Sequence, residues 1–224
     1  MRRVAARTGA KVTGITINEY QCGRARAHNA ALNLQDLADV VRGDFHAMPL
    51  PDAAFDAAYA IEATCHSPDL TKVYGEVFRV LKPGGRFVTY EWVTTAKFDA
   101  GNPHHVKIID EINRGNGLPE MRSPGQCEDA ARKVGFRVVQ SVDLATAATP
   151  PCVSWTERLR QGGVQHHING AIVSTLSALR LLPAGVREAH DMLVDVADWL
   201  VQGGDTGTFS PMHMIVLEKP LGSA

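Results

Sequence analysis

Along the first two thirds of the chain, the spacing of apolar residues switches repeatedly between the period of a strand and that of a helix. Short apolar runs at Lys11–Thr16 (KVTGIT), Val40–Arg42, Asp56–Ile61 (DAAYAI) and Arg86–Trp92 (RFVTYEW) are separated by segments long enough to hold helices. Antiparallel neighbours need only a tight turn, whereas parallel neighbours need a crossover of about a dozen residues or more. The pattern therefore predicts βαβ units and an α/β fold, a doubly wound, mainly parallel sheet with helices on both faces.

The intervening segments read as helices for local reasons. Glu19–Leu32 is rich in helix formers and follows Asn18, a good N-cap. Leu70, Val73, Tyr74, Val77 and Leu81 fall on one helical face, and Lys82-Pro83-Gly84-Gly85 stops that helix before a strand beginning at Arg86. Ser123–Lys133 reads as helix and Phe136–Gln140 as strand. The break Ala145–Pro151 (ATAATPP) divides a core, residues 1–150, from a tail, residues 151–224. In the tail, Val186, Ala189, Leu193, Val196 and Leu200 recur at helical spacing, and Met212–Glu218 (MHMIVLE) is apolar enough to return as a buried strand of the same sheet.

Composition excludes several classes. The 224 residues carry Lys+Arg 23 against Asp+Glu 24, which leaves no basic surplus for nucleic acid. The four cysteines, Cys22, Cys65, Cys127 and Cys152, form no CxxC pair, so neither zinc nor a disulfide framework is expected, and a reducing, cytoplasmic compartment fits. His104-His105 and His166-His167 are adjacent pairs without a carboxylate cluster, so no metal site is expected there. No apolar run approaches the ~20 residues of a membrane-spanning helix, which limits membrane contact to a peripheral one.

Ligands of open α/β sheets bind beyond the carboxyl ends of the strands. Polar residues gather at those ends: Thr16 with Asn18 and Gln21, then Asp44 and Phe45, then Ile61-Glu62 with His66, then Tyr90-Glu91-Trp92. Amides and hydroxyls suit a ribose, a carboxylate suits an adenine amino group, and an aromatic ring suits the base. Helix capping by Asn18, turn formation at Gly43-Asp44 and core packing of Tyr90 and Trp92 are the structural alternatives.

The strings GITINEYQ, GDFHAMPLPDAAFD, YAIEATCHSPDL, YGEVFRVLKPGGRF and YEWVTTAKFD resemble those of sterol 24-C-methyltransferases of the plant and algal type, and the tail resembles their C-terminal segment. The resemblance implies a class I methyltransferase fold, S-adenosylmethionine as cofactor and methylation of carbon 24 of an unsaturated sterol side chain in sterol biosynthesis. It implies that Thr16, Ile17, Asn18 and Gln21 contact the ribose and methionyl portions, that Asp44 and Phe45 hold adenine, and that Ile61 and Glu62 lie under the methionyl portion. Glu62, His66, Tyr90, Glu91 and Trp92 would face the methyl donor and the sterol, with Glu62 or His66 taking the final proton. It further implies a preceding strand with a glycine-rich turn, between KVTGIT and DAAYAI, so the 224 residues alone are expected to bind no cofactor and to be inactive. Homo-oligomerisation and contact with the endoplasmic reticulum membrane stay open. The alternatives are a methyltransferase for another small lipid or an amine, and a truncated homologue that binds without turnover. The absence of GxGxxG argues against a nicotinamide dehydrogenase.

Overall fold

The computed structural model describes residues 1–147, 155–161, 163–183 and 185–222. In chain order the elements are α1 (Arg2–Thr8), β1 (Val12–Thr16), α2 (Glu19–Ala31), β2 (Ala38–Arg42), β3 (Phe55–Ile61), a 3₁₀ turn (Thr64–His66), α3 (Leu70–Val80), β4 (Leu81–Thr94), α4 (Pro103–Asn116), α5 (Pro124–Lys133), β5 (Arg137–Asp143), α6 (Leu144–Ala147), α7 (Trp155–Gln161), α8 (Gly163–Ala178), α9 (Val186–Thr206) and β6 (Phe209–Glu218). The expected helix start at residue 19 is present, with Asn18 Oδ1 accepting from the Gln21 N–H. Most of the division between core and tail at 150/151 lies outside the described residues, although residues 145–147 belong to α6.

β1 and β2 form a parallel pair, and β3, β4, β6 and β5 form a four-stranded sheet in that order. β3 runs parallel to β4, while β6 lies antiparallel between β4 and β5. The sheet is therefore mixed, with the tail strand the one reversed. The cause is connectivity: the chain leaves β5 at Asp143 and re-enters beside it, with His213 opposite Asp143 and Glu218 opposite Arg137. A segment that departs from and returns to the same end of a sheet must come back antiparallel.

Two boundaries differ from the sequence reading. Helix α3 stops at Val80, and β4 begins at Leu81 instead of Arg86; the ladder shifts register between Phe55 opposite Leu81 and Ala57 opposite Arg86. Within this stretch Gly84 has φ +79°, and a Cβ on Gly85 would stand 2.8 Å from the Lys82 carbonyl oxygen, so both glycines are required by the turn. Helix α4 has no counterpart in the reading above, although Asn102 caps it, Pro103 opens it, and Ile108, Ile109 and Ile112 are its buried face.

Tyr74, Phe87, Phe136, Ile215 and Leu217 sit in the main core between the sheet, α3 and α5. The loop 43–54 is tied to that core by α3. Arg79 donates to the carbonyls of Leu50 (2.7 Å) and Met48 (3.0 Å), and Glu76 accepts from the Met48 N–H at 2.6 Å.

Among the described residues β1 has no strand partner except β2, and β3 none except β4. Ala57, Tyr59 and Ile61 project from one exposed face of β3. Unpaired strand edges beside exposed apolar residues template association. We expect the chain to self-associate as concentration rises in sedimentation velocity, and Tyr59→Lys to shift the distribution toward monomer with little loss of melting temperature. An unaltered distribution would place the association elsewhere.

Candidate functional site

The carboxyl ends of β1, β2, β3 and β4 carry the residues that the sequence singles out. At β1, Thr16 Oγ1 donates to Gln21 Oε1 at 2.7 Å and accepts from the Asn18 N–H at 3.2 Å, while Ile17 is exposed. Beyond β2, Asp44 Oδ1 accepts from the backbone N–H of His46 (2.8 Å) and lies 2.8 Å from its Nδ1. These contacts hold the exposed Asp44 carboxyl below the usual range, with the backbone bond the largest cause. It is therefore an anion with a second oxygen available as acceptor. The Phe45 ring stands 4.6 Å from the His46 ring, and His46 Nε2 lies 2.8 Å from Ser67 Oγ.

At the end of β3, Ile61 is 58% exposed and Glu62 adopts φ +52°. A non-glycine residue in the left-handed region is a strained feature that the surroundings must impose, and such residues cluster at functional sites. Here the Glu62 N–H donates to the Tyr90 carbonyl at 3.1 Å, which continues the β3–β4 pairing and turns the side chain outward.

Glu62, Cys65, His66, Trp92, Asn116 and Leu118 surround a cavity of about 240 Å³. His66 Nδ1 lies 3.5 Å from the Gly117 carbonyl, at the end of α4. Trp92 Nε1 is buried without a hydrogen-bond partner, and the indole packs edge-on against Phe209 at 5.2 Å. The Cys65 thiol is pushed up to about 12, first by burial and then by the Glu91 charge, so it is neutral and no nucleophile. Among the described residues no group of three His, Cys, Asp or Glu side chains is arranged to hold a metal.

The structure does not bring Glu91 into this cavity. Along β4, Thr89 and Glu91 are buried while Tyr90 and Trp92 alternate with them and are partly exposed. Glu91 is 1% exposed, and its Oε1 accepts from Thr64 Oγ1, from Thr89 Oγ1 (2.8 Å) and from Tyr74 OH (2.9 Å). Burial raises its pKa, against which the three hydroxyls and Arg122 act. Glu91 thereby fastens Thr64, the first residue of the turn that presents Cys65 and His66. Burying a carboxylate costs several kcal/mol, and bonds to a charged group return about 1.5–3 kcal/mol each, so the hydroxyls offset part of the penalty while burial keeps the pKa raised.

Cys65, Asn116 and Leu118 are cavity residues that the sequence reading did not select. Cys65 lies inside YAIEATCH, and Asn116-Gly117 carried a readable signal, since Gly117 ends α4 at φ +64° as a helix-terminating glycine does.

Two family descriptions match the chain: "Methyltransferase domain" over residues 1–89 and "Sterol methyltransferase C-terminal" over residues 156–221. A 24-methylenesterol C-methyltransferase 2 of Oryza sativa subsp. japonica is 51% identical over 100% of this chain and 61% of its own length. The chain belongs to the sterol methyltransferase family. Squalene methyltransferase 1 of Botryococcus braunii, another relative, is 48% identical over 98% of this chain and 58% of its own. The chain thus spans about three fifths of the length of these curated relatives. Among solved structures, a geranyl diphosphate C-methyltransferase of Streptomyces coelicolor A3(2), in complex with Mg2+, geranyl diphosphate and S-adenosyl-L-homocysteine, superposes with a TM-score of 0.72 at 19% identity. The match covers 98% of this chain and 67% of that one. That likeness establishes the fold, the class I methyltransferase fold expected from the sequence.

The sterol methyltransferase fold here carries a pH signature. An unfolded Glu91 ionises near 4.5, whereas the folded one resists ionisation. Stability from this group is full below the unfolded pKa and is lost as pH rises through the higher folded one. Glu91→Gln keeps an oxygen for the three hydroxyls, so its melting temperature should gain on the parent's as pH rises above the unfolded pKa near 4.5. A gap that stays constant as pH rises from below that value to neutrality would contradict the burial argument.

Proposed function

We propose that the protein transfers the methyl group of S-adenosylmethionine to carbon 24 of an unsaturated sterol side chain, as a step of sterol biosynthesis. The observation that carries this reading is the 51% identity to a 24-methylenesterol C-methyltransferase along the entire chain, tail included. The rim chemistry supports it. An ionised Asp44 with a free oxygen suits an adenine amino group, the Phe45 ring suits the base, and the hydroxyl and amides of Thr16, Asn18 and Gln21 suit a ribose. Ile17, Ile61 and Glu62 would line the methionyl portion. We assign residues 1–150 to the cofactor-binding core and 151–224 to the sterol methyltransferase segment, and place the protein in the cytoplasm, peripheral to the endoplasmic reticulum membrane.

The cofactor, when bound, supplies an electrophilic methyl group on a positively charged sulfur. This chain's residues then have three tasks. Trp92 would offer a π face in the cavity to a carbocation that carries no heteroatom, with Tyr90 on the same face of β4 beside it, and Leu118, together with Phe209 packed behind Trp92, would keep water away. The carboxylate of Glu62 supplies a favourable field. His66 takes the final proton: with Nδ1–H turned to the Gly117 carbonyl, the lone pair is left on Nε2. Glu91 acts as a positioning residue through Thr64.

A second reading, methylation of an acyclic triterpene, is favoured by the 48% identity to a squalene methyltransferase. Incubation of a version that carries the upstream strand and glycine-rich turn implied by the resemblance, with labelled S-adenosylmethionine and either a sterol with an unsaturated side chain or squalene, separates the two. We expect a methyl gain on the sterol by product mass spectrometry; methylation of squalene alone would establish the second reading, and no transfer to either would contradict both. In the version carrying the upstream strand, Asp44→Ala should weaken cofactor binding by about 1–3 kcal/mol in calorimetry. His66→Ala should leave that affinity unchanged while lowering turnover by about 10²–10⁴.

A further inference from the structure

One residue of the cavity wall, Asn116, has no part in the steps assigned to Trp92, Glu62 and His66. It is the last residue of α4, and Gly117 ends the helix just beyond it at φ +64°. Asn116 Nδ2 donates to the Ile112 carbonyl at 2.8 Å. A carbonyl can only accept, so this bond decides how the amide is turned: nitrogen toward the helix, Oδ1 away from it. Among the described residues no donor reaches Oδ1, and the atom keeps accessible surface in a residue that lines the cavity.

The oxygen is held in place from both sides. A Cβ on Gly115 would overlap Val196, so α9 packs directly on the α4 backbone one residue before Asn116. On the other side the Leu118 N–H donates to the Asn113 carbonyl at 2.9 Å and closes the helix end. A dipole fixed in this way needs little reorganisation when charge appears beside it.

The remaining lining says what that oxygen would meet. Glu62 brings a carboxyl group and Trp92 an aromatic ring, and none of the described lining residues is Lys or Arg. The carboxyl end of α4, where the helix dipole is negative, borders the same space, with the Gly117 carbonyl 3.5 Å from His66 Nδ1. Acceptor oxygens and a π face with no cation among them suit a positive charge that has no hydrogen to donate.

We propose that Asn116 is a catalytic residue of the methyl transfer, its amide oxygen contacting the acceptor carbon that becomes positive. The acceptor's π pair forms the bond to the methyl carbon, and the electrons of the carbon–sulfur bond stay on sulfur. The positive charge then resides on the acceptor until His66 takes a proton. An amide suits this place better than a second carboxylate, which would repel Glu62 and could close on the cation as an ester. The inference rests on the methyl-transfer reading and adds to it a residue that stabilises the cation.

The test compares two ligands by calorimetry in the version that carries the upstream strand and glycine-rich turn. One is a sterol whose side chain ends in a dimethylammonium group, and the other is its neutral isostere with CH in place of NH⁺. The parent should prefer the ammonium ligand. Asn116→Leu, which keeps the size of the side chain, should cut affinity for the ammonium ligand about tenfold and leave that for the isostere within about twofold. Its turnover should fall about ten- to a hundredfold with KM unchanged. Asn116→Asp, which keeps an oxygen, should hold the ammonium preference at the parent's level or above, and decides the matter if Asn116→Leu does not fold. Equal losses for both ligands or unchanged turnover in Asn116→Leu, or loss of the preference in Asn116→Asp, would overturn the proposal. A parent that methylates no sterol, yet prefers the ammonium ligand through Asn116, would contradict the methyl-transfer reading while supporting the role of this oxygen toward a cation.

Discussion

A carboxyl group enclosed by apolar side chains forces its surroundings to supply hydrogen-bond donors, and Glu91 imposes that demand at the centre of this fold. Its donors come from three places: Thr89 two residues earlier on β4, Tyr74 on α3, and Thr64 at the head of the 3₁₀ turn. Meeting the demand therefore fixes α3 against the sheet and fixes the turn against both. The same α3 carries Glu76 and Arg79, which hold the loop leading from Asp44 back to β3. One helix thus sets the positions of the Asp44 loop and of the His66 turn, the two segments proposed to receive the two substrates.

The tail completes the site by being packed on the rim. It leaves and re-enters the sheet at the carboxyl ends of the strands, so α9 lies against α4, and Gly115 lets Val196 approach the α4 backbone. That contact places Asn116 and Leu118 opposite Glu62 and His66 and brings Phe209 against Trp92. The far wall of the cavity is a product of tail packing, and substitution in the tail would be felt at the strand ends.

Much of this was legible from residue spacing. The alternation of periods gave the strands, Asn18 and the Leu70–Leu81 face gave their helices, the latter ending one residue earlier than read, and MHMIVLE announced a returning strand whose direction follows only from where the tail enters. The rim residues were legible because parallel strands present their carboxyl ends together. Two things were not. Glu91 was expected in the cavity, but a strand alternates its faces, and which face meets α3 depends on register, which spacing alone does not supply. Asn116 enters the site through tertiary packing of α4, a helix whose asparagine cap, proline and isoleucines were readable and were passed over. The division of the sheet into β1–β2 and β3–β4–β6–β5 was, by contrast, expected: among the described residues β1 and β3 each lack a partner on one side, as the resemblance implies.

The central claim is that one rim, formed by Thr16–Gln21, Asp44–Phe45 and Ile61–His66, holds the cofactor beside the cavity that takes the acceptor. Photolabelling of the version that carries the upstream strand and glycine-rich turn with S-adenosylmethionine bearing an azide on its adenine ring, followed by mass spectrometric location of the adduct, reads that claim at the level of single residues. The account predicts label at residues 44–46, competed away by S-adenosylhomocysteine and diminished in Asp44→Ala. Competable label confined to residues 155–206 would contradict it.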